Sequence, residues 1–210
     1  MSLIEKLSTV KSMITHRRPI RDLLRSYLFF LENPDKSAWG SITEEDEKGI
    51  EKAVKLASNY HGPIIEIGAL FGHTTNLIAS LKGKDVPLIA VENFSWNPFS
   101  LPVEAHRQFT RRTLRYVLEN CSTQLFEGNA EDFYSSNASL KPSMIFIDAW
   151  HEYDSVKKDI ERAVATGCPV ISGHDYTEIH PGVIMAVKEA FGDRVLLYGS
   201  VWIHHNERDE

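Results

Sequence analysis

The chain has 210 residues, of which 42% are hydrophobic and 25% are charged. This length and composition are typical of one ordinary globular domain, which buries roughly 70% of its unfolded surface. The formal net charge of −6 argues against a nucleic-acid partner held by bulk electrostatics. The two cysteines are too few for a disulfide framework, and no apolar run is long enough to span a bilayer, so we expect a cytoplasmic protein with no membrane contact.

The first sixty residues are interpreted as an N-terminal helical extension, followed by a main domain over 61–210. Apolar residues recur at helical spacing over 3–14 and over 20–31. Such apolar faces are usually buried, so these helices are expected to pack on the main domain or to form a homo-oligomer contact, with a lid over the substrate as the alternative. A third helix is predicted to begin after Thr43, with three acidic residues in its first turn.

The segment from Ile64 to Thr75 predicts a ligand site. Ile64, Ile65 and Ile67 form a short apolar run with β-branched side chains, typical of a strand buried on both faces. Gly68 and Gly72 follow and lead into a helix, so the backbone can approach a ligand closely and the helix N-terminus offers free N–H groups. Glu66 precedes the first glycine, where a carboxylate would repel a pyrophosphate but could hold an amino group. The spacing also differs from the G-x-G-x-x-G of dinucleotide sites.

Further strands are predicted at intervals along the chain: 87–91, 123–126, 144–147, 169–172, 195–198 and 200–203. Glu92 follows the second strand of the predicted domain, where an acid in a nucleotide-binding α/β unit accepts hydrogen bonds from ribose hydroxyls. The arginine-rich segment from Val103 to Leu118 is predicted to be one helix with a solvated basic face and no assigned function. The residues from His204 onward are expected to fray.

Polar side chains follow two successive strands of the second half. Asp148 and His151 come after the strand over 144–147, and His174 and Asp175 come after the strand over 169–172. Because ligands of open parallel sheets bind beyond the carboxyl ends of the strands, these four residues should converge near the glycine segment. Their oxygen and nitrogen donors can hold a divalent cation with room for water and substrate.

Three motifs together carry a resemblance to a known family. They are E-I-G-x-x-x-G-x-T from Glu66, I-D-x-x-H-x-Y from Ile147 and G-H-D-Y from Gly173. With these motifs the chain resembles the class I S-adenosylmethionine-dependent methyltransferases, in the group that includes macrolide-sugar O-methyltransferases and cephalosporin-hydroxylase-like proteins. The resemblance covers roughly residues 62 to 205.

The resemblance implies an α/β fold: a Rossmann-like, seven-stranded, mostly parallel sheet with one antiparallel strand, here preceded by the helical extension. It implies S-adenosylmethionine as cofactor, a small-molecule acceptor such as a sugar or polyol hydroxyl, and Mg²⁺ bound by Asp148, His174 and Asp175. It also implies that His151 is the general base and that Asp148 takes part in catalysis. The implied cofactor-binding residues are Glu66, Gly68, Ala69, Gly72, Thr74, Glu92, Gly128, Asn129, Ala130 and Asp148.

The fifth-strand pair, His174 and Asp175, departs from the two acids or Asp-Asn of metal-using relatives, and imidazole is a poorer Mg²⁺ ligand than carboxylate. A metal-independent methyltransferase is therefore the nearest alternative. A nicotinamide-dependent oxidoreductase and a non-catalytic protein that binds S-adenosylmethionine are two further alternatives. The oxidoreductase is disfavoured by the missing G-x-G-x-x-G and by the carboxylate of Glu66.

Overall fold

The fold is described from a computed structural model, which covers residues 10–11, 13–15, 17 and 42–206. The predicted helix over 20–31 lies outside the described residues. Of the predicted helix over 3–14, residues 10, 11, 13 and 14 are described, and they are helical. The packing, lid or oligomer role of these two segments therefore stays a prediction.

The described residues from 42 onward alternate between strands and helices. The strands are β1 (Ile64–Ile67), β2 (Leu88–Glu92), β3 (Thr123–Glu127), β4 (Met144–Ile147), β5 (Val170–Gly173), β6 (Leu196–Tyr198) and β7 (Val201–His205). The helices are α1 (Glu44–Ala57), α2 (His73–Leu81), α3 (Val103–Thr113), α4 (Arg115–Asn120), α5 (Ala130–Ser136), α6 (Tyr153–Ala165) and α7 (Pro181–Phe191). None of these helices is long and apolar enough to cross a membrane.

The strands form one seven-stranded sheet in the order β3-β2-β1-β4-β5-β7-β6. The first five strands pair in parallel, and β7 runs antiparallel to both β5 and β6. The predicted sheet with one reversed strand is thereby confirmed. The closing hairpin turns through Gly199 and Ser200, with Tyr198 opposite Val201. His204 and His205 belong to β7 instead of fraying, because each pairs with a residue of β5.

The core lies on both faces of the sheet, because β1, β4 and β5 are buried along their whole length. One cluster joins α1, α2 and α4 to the sheet, and the other joins α5, α6 and α7 to the opposite face. Ile50 and Ala53 of α1 are fully buried in the first cluster. Helix α1 therefore packs directly on the sheet, although it precedes residue 60. The predicted domain boundary at residue 60 stays a prediction.

The predicted arginine-rich helix is interrupted at Leu114, which separates α3 from α4. Leu114 is fully buried and lies against the backbone of Gly72, at the first turn of α2. Phe109 of α3 also packs on Phe71 of the glycine loop, with a ring-centroid distance of 5.2 Å, so the basic segment has an apolar inner face that touches this loop.

The parallel strands bring their carboxyl ends to one edge of the sheet, and Gly68 shows how closely the loops meet there. Its N–H donates to the carbonyl of Val91, and its φ of +93° lies in the left-handed region. A Cβ atom at this position would lie 2.1 Å from the carbonyl oxygen of Asp148. Only glycine fits between the ends of β1, β2 and β4.

We expect Gly68→Ala to lower the free energy of unfolding by at least about 2 kcal/mol, because both the backbone conformation and the contact with Asp148 become unfavourable. Gly83→Ala is the matched control, since its added Cβ would meet nothing closer than 3.4 Å. Urea unfolding of both variants checks the difference. Equal stability of the two variants would contradict the packing described here.

Candidate functional site

Glu92, at the end of β2, organises the loop that follows β1. Its Oε2 accepts hydrogen bonds from the N–H groups of Ala69, at 3.2 Å, and Leu70, at 2.7 Å. Its Oε1 accepts from the N–H of Phe94, at 2.6 Å. The carboxylate is 9% exposed. Glu92 therefore holds two loops together, and the predicted contact with ribose hydroxyls would have to share its oxygens with these N–H groups.

The glycine loop is also held from behind by α3. His106 Nε2 and Thr110 Oγ1 both donate to the carbonyl of Leu70, at 2.9 Å and 2.6 Å. Leu70 has a φ of +47°, which is uncommon for a residue other than glycine, so these two bonds stabilise a strained loop. From the sequence, this helix was predicted only to have a solvated basic face. Two polar residues four positions apart, His106 and Thr110, could have indicated this contact, because they lie on the helix face opposite the arginines.

Glu66 lies in the middle of the sheet beneath the same loop and is fully buried. Thr75 Oγ1 donates to its Oε2 at 2.5 Å, whereas its Oε1 is buried without a hydrogen-bond partner. Burial raises the pKa of this carboxyl to about 8, Thr75 opposes the shift, and the charges of Asp148 and Glu92 add to it. An ammonium group at this position would satisfy the open oxygen and favour the ionised carboxylate.

The rest of the predicted cofactor residues lie around these loops. Gly72 is the N-cap of α2 with a φ of +85°, and Thr74 is nearly buried in the first turn of that helix. The N–H of Gly128 donates to the carbonyl of Glu92 at 3.0 Å. Asn129 caps α5 by accepting from the N–H of Asp132, and Ala130 is the first residue of that helix. Gly128, Asn129 and Ala130 thus lie next to Glu92.

His174, at the end of β5, is the centre of an acidic cluster. Its Nδ1 lies 3.5 Å from Asp175 Oδ1 and 3.8 Å from Asp148 Oδ1. The donor atoms of these three residues all lie within 4.8 Å of one another. The three residues that the sequence analysis assigned to a metal ion are therefore adjacent in the structure. Burial raises the pKa of Asp148 to about 6, although the charge of His174 opposes this shift.

The other side of His174 contacts α1 and the closing hairpin. Its Nε2 lies 2.8 Å from Ser200 Oγ and 3.5 Å from Asp46 Oδ2. Asp46 Oδ1 accepts from the N–H and the hydroxyl of Ser200, and its Oδ2 accepts from the N–H and the hydroxyl of Thr43. Burial would raise the pKa of Asp46, but the bonds from His174, Thr43 and Ser200 outweigh it and hold that pKa well below its usual range.

These partners determine the protonation of His174. Because the carboxylate of Asp46 accepts the single hydroxyl proton of Ser200, the Ser200 oxygen must accept from His174 Nε2–H. The opposite nitrogen, Nδ1, is buried without a hydrogen-bond partner and faces two carboxylate oxygens. A lone pair would be repelled there, so a proton or a metal cation belongs between them. Burial would lower the pKa of His174, but Asp175, Asp46 and Asp148 outweigh it and raise it to about 10.

The donor set fits a divalent cation that accepts one nitrogen and two carboxylate oxygens. Such a cation would replace the proton on Nδ1 and neutralise Asp148 and Asp175. The donor types suit Mn²⁺ or Zn²⁺ as well as Mg²⁺.

His151 lies at the outer side of the same cluster. Its Nε2 is 2.8 Å from Asp175 Oδ2, and its side chain is 38% exposed. The hydrogen bond to Asp175 raises the pKa of this imidazole above its usual value, although burial opposes the shift. His151, Asp148 and His174 line a small cavity together with apolar side chains that include Trp150 and Trp202. The predicted base is therefore held by a carboxylate at the mouth of a cavity.

Four residues of the site were not singled out from the sequence: Asp46, Thr75, His180 and Ser200. Thr75 follows the predicted Thr74 directly, and the strand–helix motif could have indicated it. Asp46 was interpreted as a first-turn acid, and 154 residues separate it from Ser200. No local pattern indicates that contact.

We expect Asp46→Asn to lower the free energy of unfolding at neutral pH by about 3 kcal/mol, because it removes one of the three carboxylates around the buried imidazolium of His174. Glu44→Gln, an exposed acid in the first turn of the same helix, is the control and should change stability by less than about 0.5 kcal/mol. Urea unfolding of both variants provides the comparison. If Asp46→Asn changed the free energy of unfolding as little as the control does, a charged His174 would be excluded.

Glu66→Gln should alter how stability depends on pH. The folded-state pKa of about 8 lies above the ordinary 4.5, so Glu66 contributes stability that is complete below pH 4.5 and is lost as the pH rises through about 8. Glutamine does not titrate. As the pH rises from 5 to 9, the free energy of unfolding of the variant, measured with urea, should therefore increase relative to that of the wild type by on the order of a few kcal/mol. Parallel pH profiles would contradict the raised pKa.

Known proteins match this chain by structure and not by sequence. No family profile and no curated protein matches the sequence. Among solved structures, the TDP-rhamnose 3'-O-methyltransferase CalS11 is 13% identical, with 98% of this chain and 95% of that chain aligned and a TM-score of 0.62.

Two other O-methyltransferases give similar values. One from Bacillus cereus, solved in complex with SAH, is 16% identical over 88% of this chain and 90% of that chain, with a TM-score of 0.62. The O-methyltransferase NovP is 15% identical, with 80% of this chain and 81% of that chain aligned and a TM-score of 0.58. The chain therefore has the Rossmann-like fold of the class I S-adenosylmethionine-dependent O-methyltransferases.

Proposed function

We propose that this protein transfers the methyl group of S-adenosylmethionine to a hydroxyl oxygen of a small molecule, in the class of sugars and polyols. One observation carries the proposal: the pair formed by His151 and Asp175 lies beside Asp148, at the strand edge where open parallel sheets generally bind their ligands. A hydroxyl acceptor needs a base at this point, because its pKa is far above neutral pH.

The cofactor would lie along the ends of β1, β2 and β3. Its amino group would contact Oε1 of Glu66, which is buried without a hydrogen-bond partner. Its methionine part would follow the backbone from Gly68 to Gly72. Its ribose would approach Glu92, and its adenine ring the turn from Gly128 to Ala130. The positively charged sulfonium suits this edge, since the negative charges of Asp148 and Glu92 act on Glu66 and add to the rise of its pKa.

Methyl transfer breaks the carbon–sulfur bond of the cofactor and forms a carbon–oxygen bond to the acceptor. The electron pair of the broken bond stays on sulfur, which leaves as neutral S-adenosylhomocysteine, and the acceptor oxygen loses its proton. With Asp175 accepting from Nε2–H of His151, the opposite ring nitrogen is free to take that proton. Asp175 then stabilises the imidazolium that forms, as its hydrogen bond already raises the pKa of His151.

Asp148, His174 and Asp175 would hold a divalent cation such as Mg²⁺ next to this base. When bound, the cation stabilises negative charge on an acceptor oxygen. Without the ion, a protonated His174 supplies a positive charge close to the same position, because its Nδ1 faces both carboxylates. The cysteine content favours a cytoplasmic setting, and the N-terminal helices are the proposed homo-oligomer contact.

The first test measures binding and turnover separately. Calorimetry with S-adenosylhomocysteine should show one site per chain, and NADH should not compete for it. Formation of S-adenosylhomocysteine from S-adenosylmethionine is then followed with sugar nucleotides, free sugars and polyols as acceptors, with TDP-rhamnose included because CalS11 is named for it. The absence of S-adenosylhomocysteine binding would refute the proposal.

For the active acceptor, His151→Ala should lower kcat by about 10²- to 10⁴-fold, the range expected for loss of a general base. Its affinity for S-adenosylhomocysteine should stay within about twofold, because His151 lies on the acceptor side of the site. His61→Ala, an exposed histidine outside the site, is the control. Full activity of His151→Ala would exclude its role as base, and turnover that survives a chelator would favour the metal-independent alternative.

A further inference from the structure

A second histidine approaches Asp175 from the outer side of the site. His180 Nε2 lies 3.7 Å from Asp175 Oδ1, and His151 Nε2 lies 2.8 Å from Asp175 Oδ2. One donor atom from each of these residues can be chosen so that all three lie within 4.8 Å of one another. The three side chains are between 19% and 38% exposed, so an ion from solvent can reach them. Two imidazoles and one carboxylate therefore converge on an accessible point.

The convergence is built by the packing of α7 on the loop that precedes α6. Gly182, in the first turn of α7, lies so close to this loop that a Cβ would be 2.5 Å from the carbonyl oxygen of His151. This approach brings the rings of His151 and His180 to a centroid distance of 4.2 Å. Asp175 has a φ of +60°, and its carbonyl accepts from the N–H of Thr177 at 2.8 Å. The backbone at each position is thus fixed by neighbouring structure.

The donor types select the kind of ion. Two imidazole nitrogens and one carboxylate oxygen, with the remaining positions open, form the ligand set of mononuclear Zn²⁺ enzymes and of non-haem Fe²⁺ sites. Mg²⁺ prefers oxygen ligands and would gain little from two imidazoles. The surrounding charge favours a cation, since Asp148 and Glu152 both act on His151.

We infer that His151, Asp175 and His180 form a binding site for a borderline first-row divalent metal ion, with Zn²⁺ as its representative. The site is distinct from the set of Asp148, His174 and Asp175, with which it shares only Asp175. Oδ1 of Asp175 lies near both His174 and His180, whereas Oδ2 faces only His151 among these histidines, so Oδ2 is the oxygen that the outer site can use without the inner set. Because His151 and Asp175 also serve in the methyl transfer proposed above, an ion bound here would occupy the base, and the site is therefore tested without turnover.

Co²⁺ is the probe, because its visible absorption reports nitrogen and oxygen ligands directly and needs no catalytic turnover. Tag-free protein, stripped of metal with a chelator and dialysed, is titrated with Co²⁺ and then with Zn²⁺ as competitor. We expect saturable absorption bands at one equivalent, which Zn²⁺ abolishes. The absence of saturable bands would overturn the site.

His180→Gln should weaken Co²⁺ binding by about tenfold or more, and His151→Gln should do the same, because each removes one of three protein ligands. The control His61→Gln removes an exposed histidine elsewhere and should bind like the wild type. Asp148→Asn should weaken binding less than His180→Gln. The reverse order would assign the ion to the inner set and overturn the inference.

A far-UV circular dichroism spectrum like that of the wild type and a cooperative thermal transition show that each variant is folded, so the loss of the Co²⁺ spectrum reports the loss of the metal site. If S-adenosylhomocysteine fails to bind the wild type while Co²⁺ binds as expected, the proposed function fails and the metal site stands. If Co²⁺ does not bind and S-adenosylhomocysteine does, only the inference of the metal site is overturned, and the proposed function stands.

Discussion

The site depends on one buried imidazole that lies between carboxylates on both of its sides. Toward the protein interior, His174 contacts Ser200 and Asp46, and toward the ligand edge it faces Asp148 and Asp175. A buried charge is tolerated only when it is paired and hydrogen-bonded. Here the imidazolium stabilises the ionised carboxylates, and the carboxylates stabilise the imidazolium. This mutual requirement links α1, the ends of β4 and β5, and the closing hairpin, so the acids of the site are positioned by the same interaction that stabilises the fold.

A second constraint acts at the other half of the strand edge, where Glu92 uses both oxygens on backbone N–H groups. It connects the loop after β1 to the segment after β2, while His106 and Thr110 hold the carbonyl of Leu70 from behind. The glycine loop is therefore held in place by protein hydrogen bonds before any ligand arrives. Such pre-organisation reduces the entropy lost on binding. It also means that a ribose approaching Glu92 meets a carboxylate whose orientation is already determined.

The strand edge as a whole is acidic, which limits the ligands it can take. Glu66, Glu92, Asp148 and Asp175 come from four different strand ends, and burial raises the pKa values of Glu66 and Asp148, with repulsion from neighbouring carboxylates adding to both shifts. A sulfonium, an ammonium group or a divalent cation relieves this repulsion, whereas a pyrophosphate would add to it. The same electrostatics that favour methyl transfer from a cationic cofactor therefore disfavour the nicotinamide alternative.

Local patterns were enough to predict the strands and most of the helices between them, whereas the reversed strand was implied by the family resemblance and the helix Ala130–Ser136 was not predicted. Short apolar runs such as Met144–Ile147 signal buried strands, and parallel strands place the residues that follow them at one edge. On that basis the sequence by itself indicated that Asp148, His151, His174 and Asp175 would meet. It could not indicate Asp46, Ser200 or His180, because their contacts with His174 and Asp175 arise from packing between elements far apart in the chain and leave no periodic signal. Only the tertiary structure decided which acids share a proton and which nitrogen of His174 is left facing two carboxylates, since charge pairing in a buried site depends on distances that no sequence spacing encodes.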